Sequence, residues 1–166
     1  MRRPTAVARR RVLQLQLREE LRYFAKLIMT DEAQNVIVLK DAYDRWAESK
    51  GDSADHWTAI FADNIKFGSL AQGSYGAAYL TAYQTKDQLA QYFAGLKRDW
   101  EMIEYVTEQF VAQGDRVVML GRCSWRNRHT GKVVATPKAD SWRFADGKAI
   151  EFYEYYDTAQ LRDAAV

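Results

Sequence analysis

Between residues 105 and 157 the chain repeats one pattern four times, and that repetition restricts the fold more than any other feature. Runs at 105–112, 116–127, 133–144 and 149–157 are rich in β-branched and aromatic residues, and Gln113-Gly114-Asp115, His129-Thr130-Gly131 and Asp146-Gly147 separate them. Such runs bounded by glycine and aspartate read as strands joined by tight turns. Three hairpins in succession make an antiparallel meander, which needs another layer to cover its apolar face.

That layer precedes the meander. From Thr30, Val36, Leu39, Tyr43, Trp46 and Ala47 recur at helical spacing, and Gly51 is a suitable stop. Ser53 can cap a second, shorter helix with Trp57, Ile60 and Phe61, ending near Asp63-Asn64, with a short strand at 65–69 after it. Residues 70–84 hold Gly73, Gly76, Tyr75, Tyr79 and Tyr83 without a decisive period, which fits a mobile flap over a pocket or an ordinary surface connection. Thr85 and Gln88 have the spacing of a capping box, and Leu89, Tyr92, Phe93 and Leu96 form the stripe of a third helix reaching about Arg98. Helices first and a meander second indicate one α+β domain over residues 30–166, with the helices packed on one face of the sheet.

Each of the last three strands carries one ionisable residue among apolar ones. Side chains two apart share a face, so Arg122 travels with Leu120 and Ser124, Asp140 with Trp142 and Phe144, and Glu154 with Phe152 and Tyr156. Charges among aromatics are costly unless paired or used, so the pattern predicts a pocket into which Arg122, Asp140 and Glu154 converge. The opposite parity, Val117, Met119, Cys123 and Trp125 with Tyr153 and Tyr155, then forms an outer face, for which a homodimer partner is an economical cover.

Charge is unevenly distributed. Residues 1–28 hold eight cations against Glu19 and Glu20, a net +6, so the remaining chain carries −4 of the overall +2. Residues 1–29 are therefore read as a basic extension, either helical or the product of a misassigned start, with Met29 the true beginning. A basic tail suits nucleic acid, an anionic membrane or an organelle transit signal, but the domain itself is expected to bind no nucleic acid. No apolar run approaches a membrane span. Cys123 is the single cysteine, which suits a reducing, cytoplasmic setting. His56 and His129 have no metal-ligand spacing, so no metal is expected; His56 reads as a surface or cap residue and His129 as solvated.

The stretches Ile60-Phe61-Ala62-Asp63-Asn64, Val133-Val134-Ala135 through Asp140-Ser141-Trp142-Arg143-Phe144, and 152–157 resemble the SnoaL-like and ketosteroid-isomerase-like branch of the nuclear transport factor 2 superfamily. The resemblance covers residues 31–160 and implies a cone of curved sheet and helices around a deep pocket. It places Asp140 where steroid isomerases keep a protonated carboxylic acid and Tyr43 near their phenolic donor, but Ser69 stands where those enzymes have their aspartate base. Limonene-epoxide-hydrolase-like members imply a different use, with Arg122 and Glu154 holding a water; Ser124 replaces their second carboxylate, and Asp140 is the candidate substitute. SnoaL-like cyclases imply an acid/base role for Asp140 or Glu154.

Two readings stand for each charge. Asp140 is either a proton-transfer group with a pKa raised by burial or a structural partner of Arg122; Glu154 has the same alternatives. Arg122 is an oxyanion stabiliser or a counter-charge, and Tyr43 is a hydrogen-bond donor or plain core. Trp46, Trp57, Phe93, Phe110, Ser124, Trp142, Phe152 and Tyr156 are expected to line the cavity around a small hydrophobic molecule. Cys123 is placed away from the pocket, and Lys138 is read as a snorkelling surface residue. The leading expectation is a cofactor-independent acid/base enzyme of the cyclase or isomerase type. A non-catalytic binding module and water addition to an epoxide are the alternatives.

Overall fold

A computed structural model describes residues 14–18, 30–74 and 77–166. The chain forms two units, Met1–Thr30 and Asp31–Val166. In the first, residues 14–18 are helical, with Leu15 and Leu17 exposed; the proposed start at Met29 and the rest of the basic extension lie outside the described residues.

The second unit begins with helix α1 (Asp31–Glu48), whose buried stripe includes Leu39, Ala42, Tyr43 and Trp46. Gly51 follows it with a φ of 87°, a left-handed conformation that disfavours larger residues. Helix α2 (Ala54–Ile60) leads directly into β1 (Phe61–Ser69), and β2 (Tyr83–Thr85) follows. Thr85 and Gln88 form the expected capping box, from which a 3₁₀ turn runs into α3 (Leu89–Asp99). The meander is β3 (Trp100–Gln113), β4 (Arg116–Asn127), β5 (Val133–Ala145) and β6 (Lys148–Tyr156). A closing helix, α4 (Thr158–Ala165), is capped by Asp157, which accepts from the backbone N–H groups of Ala159 and Gln160.

The six strands form one curved sheet in the order β2-β1-β6-β5-β4-β3. The meander is antiparallel throughout, whereas β1 joins β6 in parallel. Two register shifts in the β3–β4 pair bend that edge. At Gly121 a Cβ would collide with the carbonyl oxygen of Val106, so the tight approach of the two strands requires glycine there.

Two expectations are corrected by the register. Val117, Met119 and Cys123 point inward, opposite Trp142, Asp140 and Thr136 respectively, while Arg122 pairs with Pro137 and faces out with Leu120 and Ser124. The two sets do lie on opposite faces of β4, but the inner face is the apolar set, because burying valine, methionine and cysteine releases apolar surface from water and burying an unmatched guanidinium does the reverse. Trp125 also turns inward, so only Tyr153 and Tyr155 of the proposed outer set lie outside, with ring centroids 4.8 Å apart. The apolar argument for a second copy on that face therefore loses most of its residues.

The described part of 70–84 is anchored rather than open. Ala71, Ala77, Tyr79, Leu80 and Tyr83 are buried, and the Tyr79 hydroxyl accepts from Trp100 Nε1 at 3.0 Å.

Candidate functional site

The inner face of β5 presents Thr136, Lys138, Asp140 and Trp142 at two-residue steps, and β6 presents Phe152 and Glu154 beside them. Asp140 and Glu154 are direct cross-strand partners. They are 1% and 3% exposed, and the Lys138 side chain between them is 9% exposed. Lys138 Nζ donates to Glu154 Oε2 at 2.5 Å and lies 3.3 Å from Asp140 Oδ1. It also sits 5.3 Å from the centroid of the Tyr156 ring, whose hydroxyl meets Ser69 Oγ at 2.7 Å.

Three phenols complete this polar cluster. Tyr43 from α1 and Tyr105 from β3 both donate to Asp140 Oδ2, at 2.6 and 2.9 Å, and Trp142 Nε1 donates to the Tyr43 hydroxyl at 3.0 Å. Tyr92 from α3 donates to Glu154 Oε2 at 3.3 Å. Each carboxyl thus has one oxygen holding two donors.

Burial pushes the Asp140 carboxyl above its ordinary pKa; the Lys138 ammonium opposes the rise, the Glu154 charge adds to it, and the two phenols oppose it. Burial alone would lower Lys138, but the charges on Asp140 and Glu154 outweigh it and hold the ammonium above its usual value. Tyr43 and Tyr105 are pushed well up by burial and then by the Asp140 charge, so both remain phenolic donors. Tyr92 is raised in the same way, by burial and then by Glu154.

Aromatic walls surround the cluster. Phe61, Trp142 and Trp57 form a stack, with centroids 5.8 and 5.4 Å apart and rings within 15° of parallel. The cavity volume is about 100 Å³, several-fold above the roughly 10–15 Å³ that admits one water. Tyr43, Trp46, Trp57, Phe93, Trp142, Phe152 and Tyr156 line it as expected, and Asp140 and Glu154 lie at its polar end.

Three predicted members do not reach the cavity. Arg122, its side chain 50% exposed, pairs with Glu104 and Glu108 on the outer face. Ser124 shares that face. Phe110 is half-buried behind Tyr43, with ring centroids 6.0 Å apart. Conversely, Lys138 is the cation of the site rather than a surface residue, and Cys123 lines the cavity, where burial raises its thiol pKa and keeps it neutral. The two-residue spacing from Asp140 is the sequence signal that puts Lys138 on the same face of β5. Tyr92 and Tyr105 were placed in their elements without a role. Among the described residues, no group of three or more His, Cys, Asp or Glu side chains is placed to hold a metal.

Residues 39–152 match the model of the SnoaL-like domain. The chain belongs to the SnoaL-like domain family. An NTF2-like protein of unknown function from Burkholderia pseudomallei K96243 superposes with a TM-score of 0.71 at 19% identity, over 83% of this chain and 99% of that one. A protein assigned as a SnoaL-like polyketide cyclase, from Jannaschia sp. CCS1, gives 0.68 at 20% identity, covering 82% and 95%. TerC, co-crystallised with polyporic acid, gives 0.68 at 16% identity, covering 80% and 98%. These likenesses establish the fold of the SnoaL-like domain. Comparison with curated protein sequences finds no match.

Proposed function

We propose that this SnoaL-like domain is a cofactor-independent acid/base enzyme acting on a small hydrophobic carbonyl compound of the polyketide-like class. The observation that carries this reading is the buried Lys138–Asp140–Glu154 cluster at the polar end of an aromatic cavity. Asp140 is the proton-transfer group, because burial raises its pKa and so favours the acid form, while two phenols hold the carboxyl in place. Tyr43 and Tyr105 orient the carboxyl and temper that rise. Lys138 replaces Arg122 as the positive charge near a developing oxyanion, and Glu154 offsets Lys138. The cyclase assignment of the Jannaschia protein and the polyporic acid bound by TerC support a flat organic substrate.

With Arg122 outside, the arginine and carboxylates of the epoxide reading are not brought together. The binding-module reading rests on the saturation of one oxygen in each carboxyl by protein donors, which suits a fixed anchor. One experiment separates catalysis from capture. A panel of aryl ketones and 1,3-diketones is incubated with protein in D₂O, and deuterium entry at the carbon next to the carbonyl is followed by NMR. Protein-dependent exchange that Asp140→Asn abolishes while ligand still binds supports the enzyme; ligand binding with no exchange in the wild type leaves the binding module.

A further inference from the structure

We infer that Asp140 and Glu154 share a single proton, so that the resting site holds one carboxylic acid, one carboxylate and one ammonium. The inference rests on geometry independent of any substrate. The two residues are direct partners across the β5–β6 pair. Each has one oxygen fully engaged: Oδ2 of Asp140 by Tyr43 and Tyr105, and Oε2 of Glu154 by Lys138 and Tyr92. Of the remaining oxygens, both buried, Glu154 Oε1 has no hydrogen-bond partner among the described residues, and Asp140 Oδ1 has no hydrogen bond but lies 3.3 Å from the Lys138 ammonium. An ionised carboxylate only accepts, so with both groups ionised Glu154 Oε1 has no donor and Asp140 Oδ1 has only the long contact to Lys138, whereas a proton on one carboxyl supplies a donor and removes a negative charge from the pair.

Charge leads to the same state. With both carboxyls ionised, Lys138, the one cation in contact with them among the described residues, leaves the cluster at −1 in a buried site. One shared proton brings it to zero, which is the cheaper condition where water is excluded. Among the described residues, the other titratable groups around the pair add no positive charge: Tyr43 from α1, Tyr92 from α3, Tyr105 from β3, Cys123 from β4 and Tyr156 from β6 are neutral hydroxyls and a thiol held above their ordinary pKa values.

Given the acid/base reading above, on which this consequence rests, the pair can act as acid and base in one step. The acid partner gives its hydrogen to the carbonyl oxygen while the carboxylate takes a hydrogen from the adjacent carbon. The C–H electron pair becomes the new C=C bond, and the carbonyl π pair forms the new O–H bond. The pair still holds one proton, now on the other carboxyl, and the reverse transfer at a second carbon completes an isomerisation with no net proton exchanged. The substrate class is therefore a neutral, enolisable carbonyl compound rather than a carboxylate or phosphate, which the cluster would meet with an anionic surface.

Infrared difference spectroscopy of the full chain tests the shared proton without any substrate. The wild type at neutral pH is expected to show the C=O stretch of one buried carboxylic acid. Both Asp140→Asn and Glu154→Gln are expected to lose it, because the Lys138 ammonium then balances a single carboxylate and the cluster is neutral without a bound proton. A wild type without the band overturns the inference and does not depend on any variant folding. Retention of the band in Glu154→Gln overturns it as well, since Asp140 would then be protonated by burial alone; retention in Asp140→Asn does the same for Glu154. Because the band is read with no ligand present, its loss or retention is separate from the outcome of the deuterium-exchange experiment.

Discussion

The two faces of the sheet use the same residue types to opposite ends. On the inner face, Lys138, Asp140 and Glu154 form a three-member cluster almost shut off from water; on the outer face of the neighbouring strand, Arg122 lies between Glu104 and Glu108 with half of its side chain in solvent. Outside, water screens each pair and the partners can separate at little cost. Inside, each charge depends on the others, and the same confinement that makes the cluster costly raises the Asp140 pKa above its ordinary value. Chemistry is expected from the face where ionisation is constrained, not from the face with more charges.

The largest expected effect breaks the inner cluster at its cation. Lys138→Met leaves two buried carboxyls without a counter-charge and should cost about 3–5 kcal/mol in urea or thermal unfolding. Next is Tyr43→Phe, which removes a donor from Asp140 and strands Trp142 Nε1; a loss of about 1–3 kcal/mol is expected, together with a further rise of the Asp140 pKa.

The pH dependence of stability should differ in sign between the fully buried Asp140 and the half-buried, ion-paired Asp99. Asp140 is raised from 3.8, so its contribution is fully present in acid and is lost as pH rises from about 3.8 through its folded value. The associated slope is at most about 1.4 kcal/mol per pH unit, and Asp140→Asn should remove it. Asp99, held by Arg98 and His129, is lowered to about 2, so its contribution is present above 3.8 and lost as pH falls toward 2. Asp99→Asn should flatten the acid limb instead. The smallest effect belongs to Arg122→Ala, at about 0–1 kcal/mol and weaker still in high salt; a loss comparable to that of Lys138→Met would show that the outer pairs are not the screened contacts described here.

The fold was legible where local chemistry dictates it. Glycine and aspartate turns bounded β4 at 116–127, the Thr85–Gln88 box started the third helical segment, and the stripe of α1 buried Leu39, Tyr43 and Trp46. Two features needed long-range information: the parallel pairing of β1 with β6, and the packing of α4, whose cap at Asp157 was present in the sequence but was read only as the end of a strand. The burial of Asp140, Glu154 and Tyr43 was legible because each lies among aromatic or apolar residues on one face of its element. Arg122 was misplaced and Lys138 overlooked for one reason. Spacing groups residues by face within a strand, but register against neighbours decides which face is the interior, and that depends on pairs such as Met119 with Asp140.

The most direct test of the buried cluster is an NMR titration of carboxyl carbons, with Asp140 and Asp99 followed in one sample. Asp140 is expected to titrate above 3.8 and Asp99 near 2. An Asp140 signal that titrates at or below 3.8 would contradict it, since that carboxyl would then be an ordinary ion-paired anion with no proton to move.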